Sequence, residues 1–226
     1  MRYTSIYLAF GLTAAAVSGC ASYEPSSAPV PVPTTDDWYE ADGLAASVDP
    51  YVDFERQKKV FDADMNAADV IPLQVSVENR TSRSQVVRPS DMTLVLDDDR
   101  AFSPASVSAA VNKVGESGSV VGATIAFGLI GYLVASDSQD SARTARTTDY
   151  TDKAFRDVTL AAGDSAHGFV FFIPPKGTEP FDDATLRVRF VDFNSASSEM
   201  VDVKLTGLGY TETVKKSNSE VKPKPE

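Results

Sequence analysis

Ile71, Leu73, Val75 and Val77 alternate with Pro72, Gln74, Ser76 and Glu78. A period of two with one polar face predicts a half-buried antiparallel strand over 70–79, and Pro72 predicts that it starts at a sheet edge or bulge. Met92, Leu94 and Leu96 repeat the alternation, and Asp97-Asp98-Asp99-Arg100 then reads as a turn. Further strands are predicted over 158–160 and over 168–173, separated by the turn Ala161-Ala162-Gly163-Asp164. The run from Gly168 to Ile173 contains Phe169, Val170, Phe171 and Phe172. Being apolar on both faces, it is the expected middle of the core. Leu186, Val188 and Phe190 alternate with Arg187 and Arg189, and Val201, Val203 and Leu205 with Asp202 and Lys204. With a short segment over 84–88 this makes about seven strands separated by polar turns, the pattern of an antiparallel β-sandwich.

A second pattern interrupts the strands. Ser117 to Ser136 is a 20-residue run without a charge, with Gly118, Gly122 and Ala126 recurring every four residues. As a helix it would be about 30 Å long, and small residues at this spacing form a groove that admits a second helix. Each glycine costs about 1 kcal/mol relative to alanine in a helix, so the run calls for a packing reason. A single span would put the strands before and after it on opposite sides of a bilayer, unable to share a sheet. A hairpin, with 104–114 as one arm and Gly115 and Gly118 as the bend, keeps them together. Three placements stay open: a buried crossover in the same domain, self-association, and insertion into lipid. The polar stretch 137–152 reads as a loop or helix cap, and the whole insert spans 104–152.

At the N-terminus, an apolar run from Ile6 to Val17 follows Arg2 and ends in Val17-Ser18-Gly19-Cys20. About a dozen apolar residues suit a signal peptide and fall short of the roughly 20 that a spanning helix needs. The tetrapeptide resembles a bacterial lipobox. That resemblance implies cleavage after residue 19 and acylation of Cys20, with Ala21 favouring the outer membrane and a domain facing the periplasm. Cys20 is the single cysteine, so no internal disulfide is available. Residues 20–50, rich in Pro, Ser, Ala and Asp, read as a flexible tether to a domain over 51–209, and 210–226 as a disordered polar tail. Trp38, Tyr39, Tyr51, Phe54 and Phe61 mark the entry to the domain. They are either a recognition strip or packing residues, and Phe54, Lys58 and Phe61 are spaced as one face of a short helix.

The net charge of −11 becomes −12 once residues 1–19, which carry Arg2 and no acid, are removed. Such a surface repels phosphate backbones, which argues against nucleic acid as a partner. The chain has one histidine, His167, two residues from Ser165 and therefore on the same side of a strand, but no nucleophile-elbow glycines surround Ser165. One histidine and one acylated cysteine make a poor metal set, the triple Asp lacks EF-hand spacing, and no phosphate-binding loop is present. The expectation is therefore a non-enzymatic protein with no cofactor and no metal. It would contact the membrane through its acyl chains and an envelope protein through its domain, with a homo-oligomer as a further option.

The strand ending in Glu78-Asn79-Arg80-Thr81, the Leu-rich strand after it, and Gly163 ahead of Gly168-Phe169-Val170-Phe171-Phe172-Ile173-Pro174 resemble the immunoglobulin-like lipoprotein domains of the DUF4352 kind. They also resemble a group of uncharacterised bacterial envelope lipoproteins. The resemblance covers about residues 60–206 and implies an immunoglobulin-like sandwich. It brings no catalytic residues, and the glycine-rich insert departs from it.

Overall fold

A computed structural model describes residues 38–118, 141 and 143–211. The chain is mainly β, with two antiparallel sheets packed face to face. One sheet has the order β1-β2-β3-β7 and the other β5-β4-β8-β9, with β6 also paired to β4. The strands are β1 (Tyr39–Ala41), β2 (Leu44–Pro50), β3 (Ile71–Asn79), β4 (Gln85–Leu96), β5 (Ala101–Phe102), β6 (Val158–Leu160), β7 (Ser165–Phe172), β8 (Ala184–Asp192) and β9 (Ser198–Leu205). Between the sheets lie Leu73, Val75, Val77, Val170 and Phe172 from the first and Leu94, Leu186, Val188, Phe190, Val201 and Val203 from the second. These are the inward positions of the predicted alternations.

The segments predicted at 84–88 and 92–96 form one strand, β4. Its register against β8 slips between Val87, opposite Phe190, and Met92, opposite Val188. Five positions on β4 thus face two on β8. This bulge, which contains Pro89, resets the phase so that odd-numbered Val87 and even-numbered Met92 both point inward. Pro72 stands in a central strand rather than at an edge. Its carbonyl accepts the Tyr51 N–H at 3.0 Å, on the side where β2 has just ended at Pro50. Since both backbone groups of an antiparallel residue point the same way, the missing N–H costs no ladder bond.

The domain starts earlier than composition implies. Residues 39–50, expected as tether, form the β1–β2 hairpin around Asp42-Gly43, both at positive φ (51° and 76°). Leu44, Ala45 and Ala46 are buried, and β2 pairs with β3 along its whole length. At the other end Tyr210, expected in the tail, is buried, stacks on Phe181 at 4.9 Å and exchanges backbone hydrogen bonds with it. Four of the five non-glycine residues at positive φ are Asp42, Asp62, Asp69 and Asp99. Part of the acidity is thus turn chemistry, because a short carboxylate side chain tolerates the left-handed region.

Candidate functional site

The outer face of the first sheet carries a helical layer that holds the roots of the insert. It comprises α1 (Phe54–Phe61), a short turn at Asn66–Ala68, α2 (Val107–Gly118) and α3 (residues 143–153). Asp53 caps α1 by accepting the Arg56 N–H at 2.9 Å, and Asp62 ends it in the left-handed conformation. The buried face of α1 is Gln57, Val60 and Phe61, whereas Phe54 is 44% exposed, so Phe54 and Phe61 do not share a face as their spacing predicted. Buried Gln57 donates to the Tyr51 carbonyl at 2.6 Å and accepts from the Met65 N–H at 2.8 Å, tying helix, entry strand and following turn together.

Alternate residues of β7 serve the two cores. Val170 and Phe172 face the second sheet, while Phe169 and Phe171 face the helices. There Phe61 meets Phe169 edge-on at 4.8 Å and Tyr150 at 5.2 Å, and Tyr51 meets Phe169 at 4.9 Å. Each such pair adds about 0.5–1.5 kcal/mol beyond the area buried. Of the entry aromatics, then, Tyr51 and Phe61 are core residues, and Tyr39 and Phe54 remain exposed.

Both ends of the insert are fastened to the free edge of β7. The Ala105 N–H donates to the Phe171 carbonyl at 2.8 Å, and the Phe155 N–H to the Phe169 carbonyl at 2.9 Å. Farther out, Arg143 on α3 donates to the Asn112 side chain on α2 at 2.6 Å. Residues 137–152 were expected as loop or cap, but 143–153 form α3. It is docked by its polar side chains: Tyr150 Oη donates to the Phe61 carbonyl at 2.9 Å, and Lys153 Nζ to the Val60 carbonyl at 2.6 Å. These are the last two carbonyls of α1, which have no partner within their own helix. Asp149 balances Lys153 at 2.7 Å, with both side chains less than a tenth exposed. Burial raises the Tyr150 phenol above its ordinary value, keeping it a neutral donor.

Among the sequence-predicted site residues, Gly118 is the last residue of α2, which runs helically through Gly115; a bend at these two glycines is not what the structure has. Gly122 and Ala126, the other predicted helix-packing positions, and the lipidation candidate Cys20 lie outside the described residues. Among the described residues, no helix is long and apolar enough to cross a membrane.

Ser165 and His167 are both exposed on β7, in register with Glu78 and Ser76 respectively. Asp164 is committed to the turn, accepting the Ala161 N–H at 2.9 Å. The triple Asp is likewise a turn, in which Asp98 accepts from the Arg100 backbone at 3.2 Å and its guanidinium at 2.6 Å. Among the described residues, no group of three His, Cys, Asp or Glu is placed to hold a metal ion.

No protein-family model matches the chain, and no curated protein does. Among solved structures it is similar to the yjhA protein from Bacillus subtilis, at 14% identity over 74% of this chain and 95% of that one, with a TM-score of 0.36. It is also similar to a FixG-related protein from Vibrio parahaemolyticus, at 9% identity over 74% of this chain and 97% of that one, with a TM-score of 0.32.

Proposed function

We propose that this chain is a membrane-anchored envelope lipoprotein whose domain is an immunoglobulin-like sandwich and which works as a non-enzymatic interaction or structural module. The observation that carries the reading is Val17-Ser18-Gly19-Cys20, with its lone cysteine closing an apolar run of signal-peptide length. Cys20 is acylated and holds the protein on the outer membrane, with the domain facing the periplasm. The sandwich begins at β1, so the tether is residues 21–37, about 17 residues. Its typical span is roughly 20–25 Å and its stretched limit about 60 Å. Leaving aside the short β1 and β5, the first, second and fifth strands (β2, β3, β7) oppose the third, sixth and seventh (β4, β8, β9). This division supports the immunoglobulin-like assignment, although the fourth strand, β6, pairs with the third rather than the fifth.

Metabolic labelling with palmitate and membrane fractionation test the anchor. The intact chain should carry label and sediment with the outer membrane, and Cys20→Ala should lose both. A labelled or membrane-bound Cys20→Ala protein would overturn the assignment.

A second reading rests on the paired roots of the insert. Because α2 and α3 leave the same edge of β7 and meet at Asn112 and Arg143, the glycine-rich run is offered from one side of the domain. That arrangement favours an oligomer-forming or membrane-remodelling role for Gly118, Gly122 and Ala126 over a single span. In the Cys20→Ala background, Gly122→Leu should abolish an oligomer or residual membrane retention while the sandwich stays folded. Unchanged size and retention would rule this role out.

A further inference from the structure

We infer that a groove between the α1 region and the C-terminal segment is a peptide-docking site, and that its resident is this chain's own Val214-Lys215-Lys216. The groove holds about 210 Å³ and is lined by Val52, Phe54, Val70 and Ile71 on one side and Leu208 and Tyr210 on the other. That is below the 300–1,000 Å³ typical of small-molecule sites and suits one aliphatic side chain from a peptide. Phe54 gives the groove an apolar wall that the domain leaves 44% exposed.

Two observations select the occupant. The chain leaves the described body at Thr211, which itself lines the groove, and continues Glu212-Thr213-Val214-Lys215-Lys216. Three extended residues reach about 10 Å, which sets Val214 over the groove without a long loop. The second is charge. Asp64 lines the groove and no lysine or arginine does, while the Asp182 carboxylate stands against the Gly209 N–H of the opposite wall at 2.9 Å. The recorded cation beside Phe54 is Lys58, 5.8 Å from the ring centroid. Lys215 and Lys216 therefore follow the aliphatic anchor toward a rim carrying carboxylates, where opposite charges attract across short distances. The segment expected as a disordered tail thus acts in its first turn as a tethered ligand, one that a partner with the same aliphatic–Lys–Lys pattern must displace.

Cys20→Ala removes the native thiol, so an engineered pair can be read cleanly. In that full chain, Phe54→Cys with Val214→Cys should form an intramolecular disulfide at least tenfold faster than Phe54→Cys with Ser219→Cys. For a free chain, contact falls as about the −3/2 power of length, and lengthening from three residues to eight predicts only about a fourfold difference. Adding Lys215→Glu and Lys216→Glu should slow the 54–214 cross-link at least fivefold. With Phe54 intact, the amides of 213–216 should exchange at least tenfold more slowly than those of 220–225. A rate ratio of fourfold or less, cross-links only between molecules, a rate indifferent to the charge reversal, or unprotected amides at 213–216 would each overturn the inference.

Discussion

Gly168 and Phe155 approach so closely that a Cβ on the glycine would lie 2.5 Å from both the Cα and the backbone nitrogen of the phenylalanine. The contact is where the returning end of the insert crosses the edge of β7, one residue from the Phe155-to-Phe169 hydrogen bond. Nothing on that side of the comparison is a flexible side chain that can swing away. Gly168→Ala should therefore destabilise the domain by about 1–3 kcal/mol, the usual cost of overpacking, read as a lower urea midpoint. The same substitution at Gly115, where a Cβ would meet nothing within 4 Å, should be neutral or stabilising.

Tyr150 and Lys153 make a second test, because each satisfies a carbonyl at the end of α1. Tyr150→Phe leaves the Phe61 carbonyl buried without its donor and should cost about 1–3 kcal/mol. Lys153→Met leaves Asp149 without its buried counter-charge and should cost about 3–5 kcal/mol. Lys153→Met combined with Asp149→Leu should recover much of that loss, since replacing a whole buried pair is cheaper than breaking it. Chemical denaturation of the four proteins closes the cycle. A double variant as unstable as the sum of the singles would show that the pair does not act as a unit.

What was legible in the chain follows from which physical signal each element uses. The strands β3, β8 and β9 are half-buried, so alternation reports them directly, and the two-faced apolar run of β7 reports its place between two cores. The helix α3 has no such signature. Thr144, Thr147, Thr148 and Thr151 are poor helix formers, and the hydroxyls of the last three are absorbed by the carbonyls of Arg143, Thr144 and Thr147, at 2.8, 3.1 and 2.7 Å. Its docking face is Tyr150 and Lys153, a pattern that hydrophobicity does not score. The β1–β2 hairpin was hidden by a tether-like composition, although Asp42-Gly43 is the residue pair that a two-residue hairpin turn demands. Of the candidate site, Gly118 alone falls among the described residues.

That hairpin yields a truncation test. A protein starting at residue 38 keeps β1 and β2 and should unfold at the same temperature as one starting at residue 21. A protein starting at residue 51 loses the seven-residue pairing of β2 with β3 and the buried Leu44, Ala45 and Ala46. It should fail to fold cooperatively, as read by calorimetry. Equal melting of all three would mean that the first 13 described residues, 38–50, contribute nothing to the sandwich.

Acid should loosen the β8–β9 turn through Asp192. Its carboxylate accepts the Ser195 N–H at 2.8 Å and the Asn194 N–H at 2.9 Å, and Arg83 lies 3.1 Å away. The Ser195 hydrogen bond first, then that of Asn194 and the Arg83 charge, hold the carboxyl below its ordinary value. A folded-state pKa below the unfolded one, about 3.9 for Asp, means the stabilisation is complete well above that value and disappears as pH falls through the folded pKa. Asp192→Asn keeps an acceptor oxygen but cannot ionise. The variant should therefore be less stable than the parent at pH 7, and the gap should narrow as pH is lowered from about 5 toward 2, measured by urea midpoints across that range. A gap that stays constant or widens on acidification would show that the Asp192 charge is not what closes the turn.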